Sequence, residues 1–465
     1  MRSIGRPAMA GREDLTRLLA QTALDYRVTA LPADTLTVAT QCIIDWFAVV
    51  LPGALEQCAI LVADELESTG HGSCTVIGRH HRLSAQDAAL ANGVAAHALD
   101  FDDVSRAMQG HPTVATFPAA LAIAEAEGKS GRDLMNAYIA GYEIACILGA
   151  RLAPSHYAKG FHATGTIGTV GAAVAAGLLL DLDEAQMVNA IGLAATQAAG
   201  LKAMFGSMAK PLHAGKAAAN GVLAARLARR GFTANPAALE ADQGFISTLS
   251  AEPSRPVVIS RPGVQIVKTL FKYHAACYMT HSTIDCLNQL RERAKLSPQA
   301  VAAVEIHVAP GHLSACNIAD PSNALQSKFS LRHAAALALH GRDSSALATF
   351  SDEGAADPEL AAIRQRVSVY GDMPAGGAVN VVVECSDGTR HVADHDSGVV
   401  EHDLARQGAR IEAKFMSLAV PVVGAEAAER LLAIIRRLDQ AGPVTDLLTG
   451  GATIAQARMV RPALG

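Results

Sequence analysis

Aromatic residues are scarce in this chain. They make up 4% of its 465 positions, with a single tryptophan, although half of all residues are hydrophobic. The core must therefore come mainly from Ala, Leu, Val and Ile. That composition suits closely packed helices better than β-sandwiches, which lean on aromatic and β-branched strands. Cysteine supplies no framework either. Its eight copies, at positions 42, 58, 74, 146, 277, 286, 316 and 385, form no C-x-x-C pair. Such scattered use argues against a structural zinc site or disulfide scaffold and fits a reducing cytoplasm. Positive charge is not in excess: the net charge is −5 and the pI about 6.4. No basic tract is interleaved with aromatics, which excludes a nucleic-acid-binding surface. There is no G-x-G-x-x-G after a strand, no Walker loop, no G-x-S-x-G and no H-E-x-x-H. Nothing therefore calls for a nucleotide, a flavin or a catalytic zinc, and neither cofactor nor metal is expected.

Membrane signals are equally thin. MRSIGRPAMAGREDL, at the start, lacks the apolar core of a signal peptide and reads as a short mobile tail. Only positions 163–180 raise the question, with no charged residue among them. Gly, Ala and Thr dominate that run, so a buried helix of a large helical domain explains it better than a membrane span. The reading is a soluble protein with no membrane partner.

What is present is a chain long enough for two or three domains. Helical periodicity dominates the first 260 residues, in runs at 34–50, 85–99, 133–152, 167–180, 184–200 and 216–230. Ser84-x-x-Asp87 and Ser130-x-x-Asp133 look like capping boxes, and Asn235-Pro236 like a helix start. The density of Gly and Ala in these runs lets helix backbones approach closely. The texture changes after about residue 265. Positions 301–308 and 366–370 alternate like half-buried strands, and 379–394 reads as a hairpin turning at Asp387-Gly388. Between them, 327–341 reads as a helix ending at glycine. Helical texture returns from Gln407, most clearly at 425–438. The expected fold is mainly α: an all-helical domain over 1–268, completed by 401–465, with a smaller α+β domain inserted at 269–400.

Chemistry-bearing residues gather in five places. In AHALDFDDVSRAMQGHP (96–112), Asp100, Asp102 and Asp103 follow a helix and precede Arg106 and His111. Three readings are open: solvated turn residues, carboxylates for Mg²⁺, or an Asp100 that points into a cleft and takes part in proton transfer. The metal reading lacks the second acidic motif that such sites use. His111-Pro112 is equally a plain helix entry, with the next helix over 113–126, and a histidine placed at the positive end of that helix. GFHATGTIGT (160–169) sets His162 at the start of the apolar helix, where free backbone N–H groups make an anion site. AKPLHAGKAAANG (209–221) carries Lys210, His213 and Lys216. Lys210 precedes a proline, so it is expected in a loop, free to clamp a carboxylate. FKYHAACYMTH (271–281) holds Lys272, Tyr273, His274 and His281 at the junction with the α+β insert. Together these basic residues point to an anionic ligand.

These motifs, with KFSLRHA (328–334), resemble the MmgE/PrpD family over nearly the whole chain and in the same order. Its members include 2-methylcitrate dehydratase, cis-aconitate decarboxylase and iminodisuccinate epimerase. The resemblance implies an all-helical domain with an α+β lid domain, a homodimer, an active site between the two domains, and a small di- or polycarboxylate as substrate. It implies no metal and no organic cofactor. Carried over motif by motif, it places catalytic groups at Asp100, His111, His162 and Lys272, and a substrate contact at Lys210. Arg106, His274 and His333 are further candidate substrate contacts. Two positions depart from the dehydratase and decarboxylase pattern. Val104 stands where those members have threonine, and His333 where they have tyrosine. A chain with several His and Lys residues but without that hydroxyl and phenol fits an epimerase, which must return a proton to the opposite face. The implied reaction is therefore epimerisation of iminodisuccinate, with His162 and Lys272 as the proton-transfer pair. A 2-methylcitrate-type dehydration or a cis-aconitate-type decarboxylation is the alternative.

Overall fold

The computed structural model describes residues 14–251, 257–259, 261–440, 442–445 and 447–448. The expected mobile tail at the start lies almost wholly outside them. The fold is mainly α, with a smaller α+β part. Its described residues divide into two compact units, one of those up to 269 together with those from 425 on, the other of residues 270–424.

Among its described residues the first unit is helical apart from a two-residue ribbon, Cys74–Thr75 against Arg82–Leu83. Its main helices are α1 (Ala33–Gly53), α2 (Ala85–His97), α3 (Thr113–Ala126), α4 (Gly131–Leu152), α5 (Ala163–Leu179), α6 (Glu184–Gln197) and α7 (Ala209–Arg229). Every residue of α5 is buried, and α5 packs against α3, α4, α6 and α7. Glycine makes that density possible. A Cβ on Gly141 of α4 would lie 2.5 Å from the Gly171 carbonyl oxygen on α5, and one on Gly221 of α7 would lie 2.4 Å from Ala172 Cβ. Only a missing side chain allows helix backbones so near each other. Some of the few aromatics meet in this core. Trp46, Phe117 and Tyr138 follow one another edge to face, with ring centroids 4.9 and 5.4 Å apart. Among the described residues α1 alone is long and apolar enough to cross a membrane, and 83% of its most apolar window is buried inside the protein, as in a core helix.

Local signals act largely where the sequence puts them. Ser130 and Asp133 form a complete capping box at the start of α4. Ser84 accepts from the Asp87 backbone N–H but forms only half of one. The Asn235-Pro236 helix start is absent: 236–240 is a series of turns, with Asn235 Oδ1 accepting from the Ala237 N–H at 3.0 Å instead. An Asx turn has outcompeted the helix there.

The second unit carries α8 (Tyr278–Ala294), β1 (Val301–His307), α9 (Leu331–Leu339), β2 (Val367–Tyr370), β3 (Ala378–Cys385), β4 (Arg390–Asp396) and α10 (Leu404–Val423). The sheet order is β2-β1-β3-β4. β1 runs parallel to β2, with Ile306 opposite Val369, and antiparallel to β3, with Ile306 opposite Val381. The β3–β4 hairpin turns at Asp387-Gly388, where Gly388 has φ +82°. One placement differs from the sequence reading. α10 belongs to this unit, not to the returning helical segment, which begins with α11 (Ala425–Ile435). Arg410 of α10 bonds Asp285 at 2.7 Å and lies over the Tyr273 ring at 3.7 Å, and Ser417 bonds Asp343 at 2.8 Å. These long-range contacts have no trace in helical periodicity.

Candidate active site

Four helix ends meet in the first unit: the C-terminus of α2 and the N-termini of α3, α5 and α7. The 98–112 loop joins two of them. It closes tightly because Asp100 and Gln109 adopt left-handed φ values of +50° and +53°, and Ser105 pairs with Gly110. Asp tolerates that region better than most residues. The His111 N–H donates to Thr164 Oγ1 at 3.1 Å, which ties the start of α3 to that of α5. His162 Nδ1 and His213 Nδ1 lie 3.0 Å apart, which ties α5 to α7. Lys210 Nζ completes the ring with a 2.7 Å ion pair to Asp100.

Lys210 is not in a loop. It sits in the first turn of α7, one residue before Pro211. A proline in the first turn needs no N–H, so the restriction it places on the preceding residue is met at a helix start. The ammonium is anchored by Asp100 and stands 5.2 Å from the Phe205 ring centroid.

Asp102 is not a solvated turn residue. It is buried, with Oδ1 2.9 Å from His97 Nδ1. His111 Nδ1 is 2.8 Å from the Asp103 carbonyl, a pure acceptor, so this nitrogen carries the proton. The same nitrogen lies 2.9 Å from Asp102 Oδ2, which has no well-directed hydrogen bond of its own among the described residues. Burial by itself would raise the Asp102 carboxyl. Electrostatic attraction and hydrogen bonding from the two imidazoles that face it, His111 and His97, outweigh burial and hold the group well below the usual carboxylate range. His111 Nε2 is left as the lone-pair nitrogen, on the more open side, 3.7 Å from Asp100 Oδ1.

His97 and His162 are different. Burial lowers His97 to about 4, against the opposing pull of Asp102, and Lys210 adds to the drop. Burial also pushes His162 down to about 2, reinforced by His97, His111, Lys210 and His213. Both are neutral at pH 7. His162 is only 2% exposed and shares its Nδ1 with His213. Asp103 behaves in the opposite sense to Asp102. Burial raises it to about 8, with Asp45 and Asp102 adding to the rise, while the Thr113 hydroxyl donates to it.

Oxygen and nitrogen atoms of His97, Asp100, Asp102 and His111 lie within 4.8 Å of one another, the only grouping among the described residues with a spacing that could suit a cation. The donor set does not fit one well. Both Nδ1 atoms are committed as donors, and the Lys210 ammonium occupies the Asp100 carboxylate. A positive charge already fills the place a divalent ion would want. What faces the more open side is the His111 lone-pair nitrogen and the Lys210 ammonium paired with Asp100.

The remaining sequence candidates are Arg106 and three residues of the second unit. Arg106 is exposed and makes no ion pair among the described residues. In the second unit Lys272 is buried, and His274 is held between Ser344 Oγ at 2.7 Å and Asp285 at 3.5 Å. His333 is fully buried beside Arg364 (3.4 Å), and burial lowers it to about 4. The sequence reading passed over His97 and left His213 without a role. No spacing rule links His97 to a partner five residues on across a loop.

The chain belongs to the MmgE/PrpD family: the family's N-terminal domain matches residues 17–256 and its C-terminal domain residues 274–440. Among curated relatives, it is 28% identical to the cis-aconitate decarboxylase-like protein oryM of Aspergillus oryzae over 316 residues, 63% of this chain and 64% of that protein. It is 36% identical to the cis-aconitate decarboxylase of Homo sapiens over 179 residues, 37% of each chain. It is 29% identical to that of Aspergillus terreus over 299 residues, 61% of each. The chain thus spans less than two thirds of the length of these relatives.

Proposed function

We propose that this protein is an enzyme that removes and returns a proton at a carbon next to a carboxylate of a small di- or polycarboxylate, without a metal or organic cofactor. The observation that carries this reading is the pairing of His111 Nε2, a lone-pair nitrogen, with the Lys210 ammonium across Asp100. A carbon acid of this kind is very weak, so the carboxylate must be neutralised as enediolate charge develops. Lys210 and the positive ends of α3, α5 and α7 supply that field. His111 then takes the proton at Nε2. This shifts the base from His162, whose burial and bond to His213 suit it to orienting rather than accepting. Lys272 keeps its place in the proposal as the group that returns the proton.

The preferred reaction is stereoinversion of iminodisuccinate. Val104 offers no hydroxyl to a leaving group, and the imidazole at 333 is buried. A lyase acting on cis-aconitate or 2-methylcitrate is the second reading, favoured by the decarboxylase names of the relatives. A homodimer is the proposed working state. The test is NMR in D₂O with racemic iminodisuccinate, cis-aconitate and 2-methylcitrate in parallel. Deuterium at the α-carbon without loss of water or CO₂ supports inversion; a new alkene or released CO₂ supports the lyase. Absence of exchange and turnover with all three overturns the proposal.

A further inference from the structure

The proposed reaction leaves buried groups of AHALDFDD unused, among them His97 and Asp102. His97 ends α2, and Asp102 follows it in the loop. The two oxygens of Asp102 face different imidazoles, Oδ1 at 2.9 Å from His97 Nδ1 and Oδ2 at 2.9 Å from His111 Nδ1. The His97 ring lies 4.7 Å from the His111 ring and 5.8 Å from that of His162, near parallel to the latter at 23°. Its side chain has no exposed surface, and Nε2 has no hydrogen-bond partner among the described residues. His97 therefore cannot touch a substrate, yet it sits in the middle of the candidate site.

We propose that Asp102 and His97 are positioning residues for His111: His97 orients the Asp102 carboxylate, and the carboxylate stabilises the His111 imidazolium. This inference rests on the reading of His111 as the base. An ionised carboxylate only accepts, so His97 carries its proton on Nδ1 and spends that one donor on Oδ1. That bond turns Oδ2 toward His111. When the C–H bond of the substrate breaks, its electron pair stays on the enediolate and its proton goes to His111 Nε2. The new positive charge then lies beside Oδ2, while Asp102 remains ionised throughout.

The arrangement requires His97 to stay neutral, because a cation on Oδ1 would cancel the field that Oδ2 exerts. The buried, partnerless Nε2 meets that requirement, since a proton placed there would have nothing to bind. The charged and titratable groups around His111 are consistent with this division. Asp100, Asp102 and Asp103 come from its own loop, His97 from α2, His162 from α5, and Lys210 and His213 from α7. Among them only Asp102 offers a buried carboxylate oxygen to Nδ1 of His111.

The experiment compares wild type with Asp102→Asn, His97→Phe and His97→Asn, whose amide N–H can replace the Nδ1 donor. Asp102→Asn is expected to lower kcat at least 100-fold with KM changed less than threefold. The acid limb of its kcat/KM profile should move to lower pH, because the charge favouring the imidazolium is gone. His97→Phe should lose about tenfold or more in kcat, and His97→Asn should recover most of it. A second readout needs no substrate. Long-range ¹⁵N–¹H spectra of histidine-labelled wild type should show His97 and His111 as Nδ1–H tautomers, and Asp102→Asn should disperse the His97 signal between tautomers. Folded variants with wild-type kcat and pH profile, or a wild-type His97 protonated at Nε2, overturn the inference. A wild type with the expected tautomers but no exchange on any carboxylate instead removes the reading of the reaction and leaves the dyad standing.

Discussion

Asp103 should make the protein less stable as pH rises, and removing its charge should reverse that. Its carboxyl is wholly buried, accepts from the Thr113 hydroxyl, and is pushed from an ordinary 3.8 to about 8, chiefly by burial. A carboxyl raised in this way holds its proton in the native state after the unfolded chain has lost it. Its stabilising effect is complete below about pH 4, and it is lost progressively as pH climbs to about 8. Each pH unit in that window is worth about 1.4 kcal/mol. At pH 7, roughly three units above the unfolded value, the accumulated loss is on the order of 4 kcal/mol. Asp103→Asn resembles the protonated acid and does not titrate. Urea midpoints for both proteins at pH 5, 6, 7 and 8 measure the difference. The gap should open in favour of the variant at about 1.4 kcal/mol per unit and flatten beyond pH 8. Any fixed cost of the amide cancels in this slope. Parallel midpoints across the series would refute the reasoning, and with it the placement of a neutral carboxyl behind His111.

Three further outcomes follow from the geometry. Gly215→Ala puts a Cβ 2.4 Å from the Leu90 carbonyl oxygen and should force α7 from α2, lowering stability by roughly 1–3 kcal/mol in calorimetry and reducing kcat as Lys210 moves from His111. Glu143→Ala removes the acceptor of the Gln265 and Ile266 N–H groups, at 2.8 and 2.7 Å, and should cost roughly 2–6 kcal/mol in urea unfolding; an unchanged midpoint would mean that water replaces it. His162→Gln should lower kcat roughly tenfold without abolishing turnover, because it removes an orienting group while His111 remains; complete loss of turnover in a folded variant would return the base role to His162.

Much of the architecture is legible in the sequence. α3, expected over 113–126, runs Thr113–Ala126, because a proline before it and apolar residues through it leave little choice. The β3–β4 hairpin turns at the Asp-Gly pair, where glycine meets a positive φ without strain. Lys210, Asn235-Pro236 and α10 were misplaced for related reasons. A proline in the first turn, an Asx turn and a salt bridge to Asp285 are each decided by neighbours that periodicity does not see.

The candidate site divides in the same way. Composition determined a helical protein with a small-residue core, and motif order determined its family resemblance. Those properties are sums over many positions or fixed local patterns, so a linear reading captures them. Which imidazole keeps a free lone pair, which carboxylate is ionised and which is protonated, and where His97 stands were decided only by the tertiary structure. Each depends on a burial or a distance of about 3 Å between separate elements, set by two left-handed loop residues and by glycines that let helices touch. Asp102 and Asp103 are adjacent in the chain and identical in type. One faces two imidazoles, which hold it below the usual carboxylate range; the other is lifted to about 8 chiefly by burial, with Asp45 and Asp102 adding to the rise and the Thr113 hydroxyl opposing it.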